Sequence, residues 1–160
     1  MIKRSEKVAY MEVIEGTEKV YKRMTGFTEF AVSKNPKEYS RKYVDEDIER
    51  SEVVSYSTAI SYKFDLERGN PVHDFLSGIA EGEYVGEDAL CSIIVVDLYK
   101  KGSDTDGVKA IKRTFTVVPE NEGDDSDTYT VSGSLRAIGA SEFGLAKSTD
   151  KWQTITFEKM

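Results

Sequence analysis

Val54-Ser55-Tyr56-Ser57-Thr58-Ala59-Ile60-Ser61-Tyr62-Lys63-Phe64-Asp65-Leu66 is the stretch that decides how the rest of the chain is read. Val54, Tyr56, Thr58, Ile60, Tyr62, Phe64 and Leu66 fall on one face. Ser55, Ser57, Ala59, Ser61, Lys63 and Asp65 fall on the other. Period-two alternation sustained this far marks a strand with one buried face. It predicts one long strand over 52–66. Strands usually run about 5–6 residues, so this one extends past the body of the domain or bends across it.

The helix comes next. Asn70 suits a cap, Pro71 the first turn, and Val72, Phe75, Leu76 and Ile79 form one apolar stripe at helical spacing. This predicts a helix over 71–81, ended by Gly82 and packed on a sheet that includes the strand around Ile93–Val96. Four more strands are expected at 89–99, 109–118, 128–138 and 152–158, joined by polar loops at 101–107 and 120–127. Upstream, 8–14 and 18–24 form a hairpin around Glu15-Gly16-Thr17, and 27–33 reads as a strand. The chain is therefore mainly β with one helix, without internal repeat, and its 160 residues suit one domain, 1–160, with a sizeable core.

Residues 34–51 differ from the rest. Ser33-Lys34-Asn35-Pro36 is a turn signal, and Lys37 to Ser51 carries Tyr39, Tyr43, Val44 and Ile48 among charged and polar side chains with neither period. The stretch reads as a long loop able to carry short strand pieces. Loops of this length in compact domains are usually functional or disordered. Aromatic anchors among charges suit an interface, so Tyr39, Tyr43, Val44, Asp45, Glu46, Asp47, Ile48 and Glu49 are the candidate assembly residues.

Composition narrows the function. Twenty-nine acidic against 22 basic side chains give a net charge of −7. That argues against a surface that clamps nucleic acid, which needs clustered cations, though not against one that nucleic acid slides past. Cys91 is the only cysteine, so no intrachain disulfide is possible; beside Leu90 and Ile93 it reads as a small buried hydrophobe. The first residues lack the apolar run of a signal peptide, no stretch suits a membrane span, and no asparagine fits the glycosylation pattern.

No constellation of residues points to catalysis or to a metal. His73, the only histidine, precedes Asp74, and such a pair can orient a base. No nucleophile motif accompanies it, so a capping or surface role is expected. One histidine and one cysteine make a poor zinc site. Asp104-Thr105-Asp106-Gly107 starts like a calcium loop, but Val108 and Phe115 stand where oxygen ligands are needed, so it reads as a hairpin turn. Glu120, Glu122, Asp124, Asp125 and Asp127 read as a solvated tip. Gly139 to Gly144 lacks the Lys-Ser/Thr of a phosphate loop.

Three segments carry a resemblance. They are Tyr43-Val44-Asp45-Glu46-Asp47 leading into the long strand; Tyr62 to Leu66 running through Gly69-Asn70-Pro71-Val72-His73-Asp74-Phe75; and Val131-Ser132-Gly133-Ser134-Leu135-Arg136-Ala137-Ile138-Gly139. The middle one, a strand passing through Gly-Asn-Pro into a helix, is the most specific. Over most of its length the chain resembles the major tail (tail tube) proteins of long-tailed phages and prophages.

The resemblance implies two packed, mostly antiparallel sheets, a sandwich or partial barrel, with the helix on its flank. It implies a structural virion protein: homo-hexameric rings with a shared inner barrel, stacked into a tube through which DNA passes. Its partners would be other copies of itself, tape measure and tail terminator proteins, and DNA only in passage, with no membrane, no cofactor and no metal. Its place would be the virion tail, and the host cytoplasm during assembly. The segments look most like the non-contractile type; the inner tube of a contractile particle is the near alternative. A monomeric β-sandwich binding module, and a small hydrolase using His73, are the alternatives from other classes.

Overall fold

The computed structural model describes residues 1–101 and 107–159, and of Lys101 the backbone alone. Among these residues, ten strands and one α-helix follow a short 3-10 turn at Arg4–Glu6. The strands are β1 (Lys7–Glu15), β2 (Glu18–Arg23), β3 (Phe27–Ser33), β4 (Pro36–Arg41), β5 (Arg50–Tyr56), β6 (Ala59–Asp65), β7 (Leu90–Lys101), β8 (Val108–Glu122), β9 (Thr130–Lys147) and β10 (Thr154–Lys159). The helix α1 (Pro71–Gly82) lies between β6 and β7. The β-rich, antiparallel architecture with one flanking helix expected from the sequence is the one observed.

Eight strands form one antiparallel sheet in the order β10-β2-β1-β7-β8-β9-β6-β3. That sheet also closes on itself. The last turn of β9 pairs with β10 (Ala146 opposite Phe157), and β10 pairs with β2 (Ile155 opposite Tyr21). The result is a ring of six strands, and closure removes the edges a flat sheet would expose. β9 forks to make this possible. Its first half pairs with β6 (Leu135 opposite Ile60) and its second half with β10. Between the halves, β9 carries two residues more than β8 across the Lys112–Thr114 shift, where Gly139 takes φ 71°. The two packed layers are thus continuous through β9.

Alternation sorts the side chains into two cores. Tyr10, Ile94, Val96, Val108, Ala110, Ala146 and Ile155 fill the inside of the ring. On the opposite faces of β1 and β7, Ala9, Met11, Val13, Cys91 and Ile93 join Ile60, Tyr62, Phe64, Leu135 and the helix residues Val72, Leu76 and Ile79. The helix stripe packs on the sheet that contains β7, as expected, but it lies chiefly over β1, β2 and β8, and only one face of β7, that of Cys91 and Ile93, joins its core. Ile94 and Val96 point into the ring.

Asn70 caps α1 by accepting from the Val72 and His73 N–H groups at 3.2 and 3.3 Å. Its amide is in turn held near the Thr25 carbonyl at 3.4 Å. Gly82 is not the left-handed terminator; Glu83 takes that conformation at φ 50°, and the Tyr84 N–H reaches back to the Ile79 carbonyl at 3.2 Å. Gly82 instead leaves room for the Tyr84 ring, into which a Cβ there would run.

Three further expectations change. The single strand over 52–66 is two strands, β5 and β6, separated at Ser57-Thr58, and the two lie in different sheets. Buried Thr58 accepts the Ala137 N–H through its carbonyl, which ties the chain to β9 there and releases it beyond. The tip expected at 120–127 is strand as far as Glu122, and its acids are partly tied down, the Thr130 hydroxyl donating to Asp124. The last strand starts at Thr154, not Trp152, because Lys151 and Trp152 turn through φ 59° and 65°. Asp104, Thr105 and Asp106 of the calcium-like stretch lie outside the described residues.

Candidate assembly interface

The 34–51 stretch is not an irregular loop. Together with the first part of the predicted long strand it forms a second, two-stranded sheet, β4 with β5. The register runs from Pro36 opposite Tyr56 to Arg41 opposite Arg50, with a bulge at Lys37/Glu38. The hairpin prolongs the ladder of β3 and β6, where Ser33 lies opposite Ala59. At the joint the Ser57 N–H reaches the carbonyls of Lys34 and Asn35 at 3.1 and 3.3 Å. Asn35 turns through φ 45° there, and its side-chain amide donates to the Ser57 carbonyl at 3.0 Å. One ribbon therefore lies half in the body and half outside it.

The outer half is an arm. From Ala31 to Ser57 every residue except half-buried Glu46 is exposed. Among the described residues, no hydrogen bond or ion pair links 36–56 to anything outside the arm and its joint. Yet the arm is apolar where it is most exposed: Val44 is fully exposed, Ile48 is 78% exposed, Tyr56 60% and Val54 55%. A lone two-stranded hairpin is marginally stable in water, and a cluster of exposed apolar side chains of this kind marks a contact surface.

The predicted interface residues occupy this arm as follows. Tyr39 lies on β4 with the Arg41 guanidinium over its ring at 5.7 Å. Tyr43 to Glu49 form the tip, where the Glu46 N–H closes a turn onto the Tyr43 carbonyl at 3.1 Å. Arg50, which sequence reading passed over, organises the tip. It makes a two-pronged pair with Glu46 at 2.7 and 2.5 Å and stacks over the Tyr43 ring at 5.9 Å. Asp45, Asp47 and Glu49 have no cation within 4.0 Å among the described residues. Val53, Val54 and Tyr56 were also missed as arm residues, because their alternation assigned them to a buried strand.

His73 is not a surface group, and its ring nitrogens are bonded to backbone groups and not to Asp74. It is fully buried and stacked on Phe64 with ring centroids 4.2 Å apart. Nδ1 accepts the Glu67 N–H at 3.2 Å, and Nε2 donates to the Thr25 carbonyl at 2.8 Å. Asp74 is exposed and makes no hydrogen bond to it. Burial holds the imidazole below its ordinary pKa, so it sits neutral as a link between α1, the β2–β3 connection and the β6–α1 connection. Cys91 is buried as expected, and burial pushes its thiol up to about 12. Among the described residues, no group of three or more His, Cys, Asp or Glu side chains could hold a metal ion, and no helix is long and apolar enough to cross a membrane.

No protein-family model matches the chain, and no curated protein matches it. Among solved structures it is similar to a chain of the cryo-EM structure of the anti-feeding prophage (AFP) baseplate, 6-fold symmetrised. The TM-score is 0.50 at 6% identity, over 89% of this chain and 94% of that chain. The likeness is one of fold, and it covers nearly the whole of both chains.

Proposed function

We propose that the chain is a structural subunit of a phage-like particle, which polymerises as stacked hexameric rings into a tail tube through which DNA passes. The observation that carries this is the arm: a ribbon of exposed valines, isoleucine and tyrosines that the monomer leaves without a partner. Two further features support it. The fold is shared with a chain of a six-fold symmetrised prophage baseplate. In addition, β3 pairs only with β6 among the described strands and leaves one edge open to a neighbour's strand. The role proposed is architectural. Tape measure and terminator proteins would be the partners at the ends of such a tube, in the virion.

Magnitudes favour assembly by many weak contacts. Burying each of Val44, Ile48, Val54 and Tyr56 would return about 1.5–3 kcal/mol. Ordering and docking one arm costs a comparable amount. One contact is therefore marginal, while a ring or stack in which every subunit both gives and receives an arm is stable. Sedimentation and negative-stain electron microscopy of the concentrated protein test the proposal. Rings or tubes are expected, and a variant with 36–56 replaced by a two-residue Asn-Gly turn should stay monomeric and folded. A wild-type protein that is monomeric at all concentrations would point instead to a β-sandwich binding module whose arm serves another protein. A closed ring that does not extend is a variant of the main reading, and the length of the assemblies separates the two.

A further inference from the structure

At the end of the ribbon opposite the arm lies an open groove of about 580 Å³ between the N-terminal turn and the start of β3. Its floor is apolar: Met24, Phe27 and Phe30 are half-buried side chains at the margin of the helix-side core, with the two phenyl rings edge to face at 6.0 Å. Its wall is basic, with Arg4, Lys7 and Arg23, and no Asp or Glu lines it. In a chain of net charge −7 that is a local reversal of sign. Arg4 is held in place by its own backbone contacts, donating to the Lys7 carbonyl at 2.6 Å and the Phe30 carbonyl at 3.2 Å. Neither Arg4 nor Arg23 has a carboxylate within 4.0 Å among the described residues; Lys7 shares Asp97 at 3.4 Å.

The arm tip has the complementary chemistry. Among the described residues Asp45, Asp47 and Glu49 have no cation within 4.0 Å, and Val44 and Ile48 are exposed beside them. We propose that this groove receives the arm tip of a second copy of the chain, with Val44 and Ile48 on Met24, Phe27 and Phe30, and the tip carboxylates facing Arg4 and Arg23. This rests on the assembly reading above and names its contact. The tip cannot serve its own groove. β3 starts at the groove and ends at the arm's base, and the ladder continues outward into β4. At about 3.3 Å per residue, Phe27 and Arg41 are on the order of 45 Å apart along the ribbon. A contact between opposite ends of identical subunits is heterologous, and repeats of it build rings or filaments.

Charge reversal tests this. Tip variant Asp45→Lys/Asp47→Lys and groove variant Arg4→Glu/Arg23→Glu should each raise the concentration needed for assembly at least tenfold, roughly the loss of one close charge pair per contact. Combining all four substitutions in one chain should restore assembly, which also shows that the variants fold. As a second measurement, the chain carrying Val44→Cys mixed with the chain carrying Ser5→Cys should form an intermolecular disulfide, Cys91 being buried. If wild type assembles and both double variants assemble equally well, or if the quadruple variant fails while melting normally, the groove is not the receptor although the assembly reading stands. If wild type never assembles, both fall.

Discussion

Two halves of one ribbon carry the same pattern to opposite ends. Val54 and Tyr56 alternate with serines just as Ile60, Tyr62 and Phe64 alternate with Ser61 and Lys63. Yet Ile60, Tyr62 and Phe64 are buried against a helix and a sheet, while Val54 and Tyr56 stand more than half exposed. Alternation specifies a strand and which side chains share a face. It does not specify what covers that face. In the inner half the cover is α1, delivered by the same chain. In the outer half none of the described residues supplies it, and on the proposed function the supplier is another subunit.

The contrast is sharpest where the cover is removed. Leu76→Asp places a charge in the helix-side core, where Leu76 is fully buried. It should destabilise by several kcal/mol, on the order of 4, read as loss of a cooperative urea transition. The same change at Val54 in the arm should leave the transition where it was and act only on assembly. Equal effects at the two sites would break the distinction between body and arm.

His73 supplies a pH test of the same core. Its folded pKa lies below its unfolded value of 6.5, because burial disfavours the charged ring. The unfolded chain therefore binds more protons as pH falls. The stability is fully present above about 6.5 and is lost progressively below it, at up to about 1.4 kcal/mol per pH unit until the folded pKa is passed. Urea unfolding at pH 7.5 and 5.5 should show this loss in wild type and a smaller one in His73→Gln. An identical slope in both would remove His73 from the account.

The two cores differ in one hydroxyl. Tyr10, inside the ring, donates to the Trp152 carbonyl at 2.7 Å, whereas buried Tyr62, in the helix-side core, has no partner for its oxygen among the described residues. Tyr10→Phe should cost about 1 kcal/mol, whereas Tyr62→Phe should be neutral or stabilising by about 1 kcal/mol, since it removes a hydroxyl that gave up its water and gained no bond. Smallest of all is Arg50→Ala. Exposed pairs are worth about 0.2–1 kcal/mol, so the global transition should not move, while arm amides around Glu46 should exchange faster.

Much of the body was legible. The β1–β2 hairpin, the Asn70-Pro71 cap and the 72/75/76/79 stripe carry local signals, and each stands where its residues place it, with Phe75 only partly buried at the stripe's margin. The ring closure was not legible, because β9 is a strand with two sets of partners and only the pairing of Gly144 to Lys147 with β10 reveals the fork. Nor was the break at Ser57-Thr58, since an unbroken alternation gives no sign that the chain leaves one sheet for another. The arm was seen as a stretch of unusual composition, and Tyr39 and the 43–49 tip were placed on it. Its second strand was hidden by a pattern borrowed from buried strands.

The decisive experiment is hydrogen exchange of the amides in 36–56, compared between dilute and concentrated protein. Rapid exchange is expected in the dilute monomer, slowing by at least about tenfold on assembly, while β7 and α1 stay equally protected in both. Unchanged exchange of the arm in assembled protein, or strong protection already in the monomer, would overturn the arm's role in assembly.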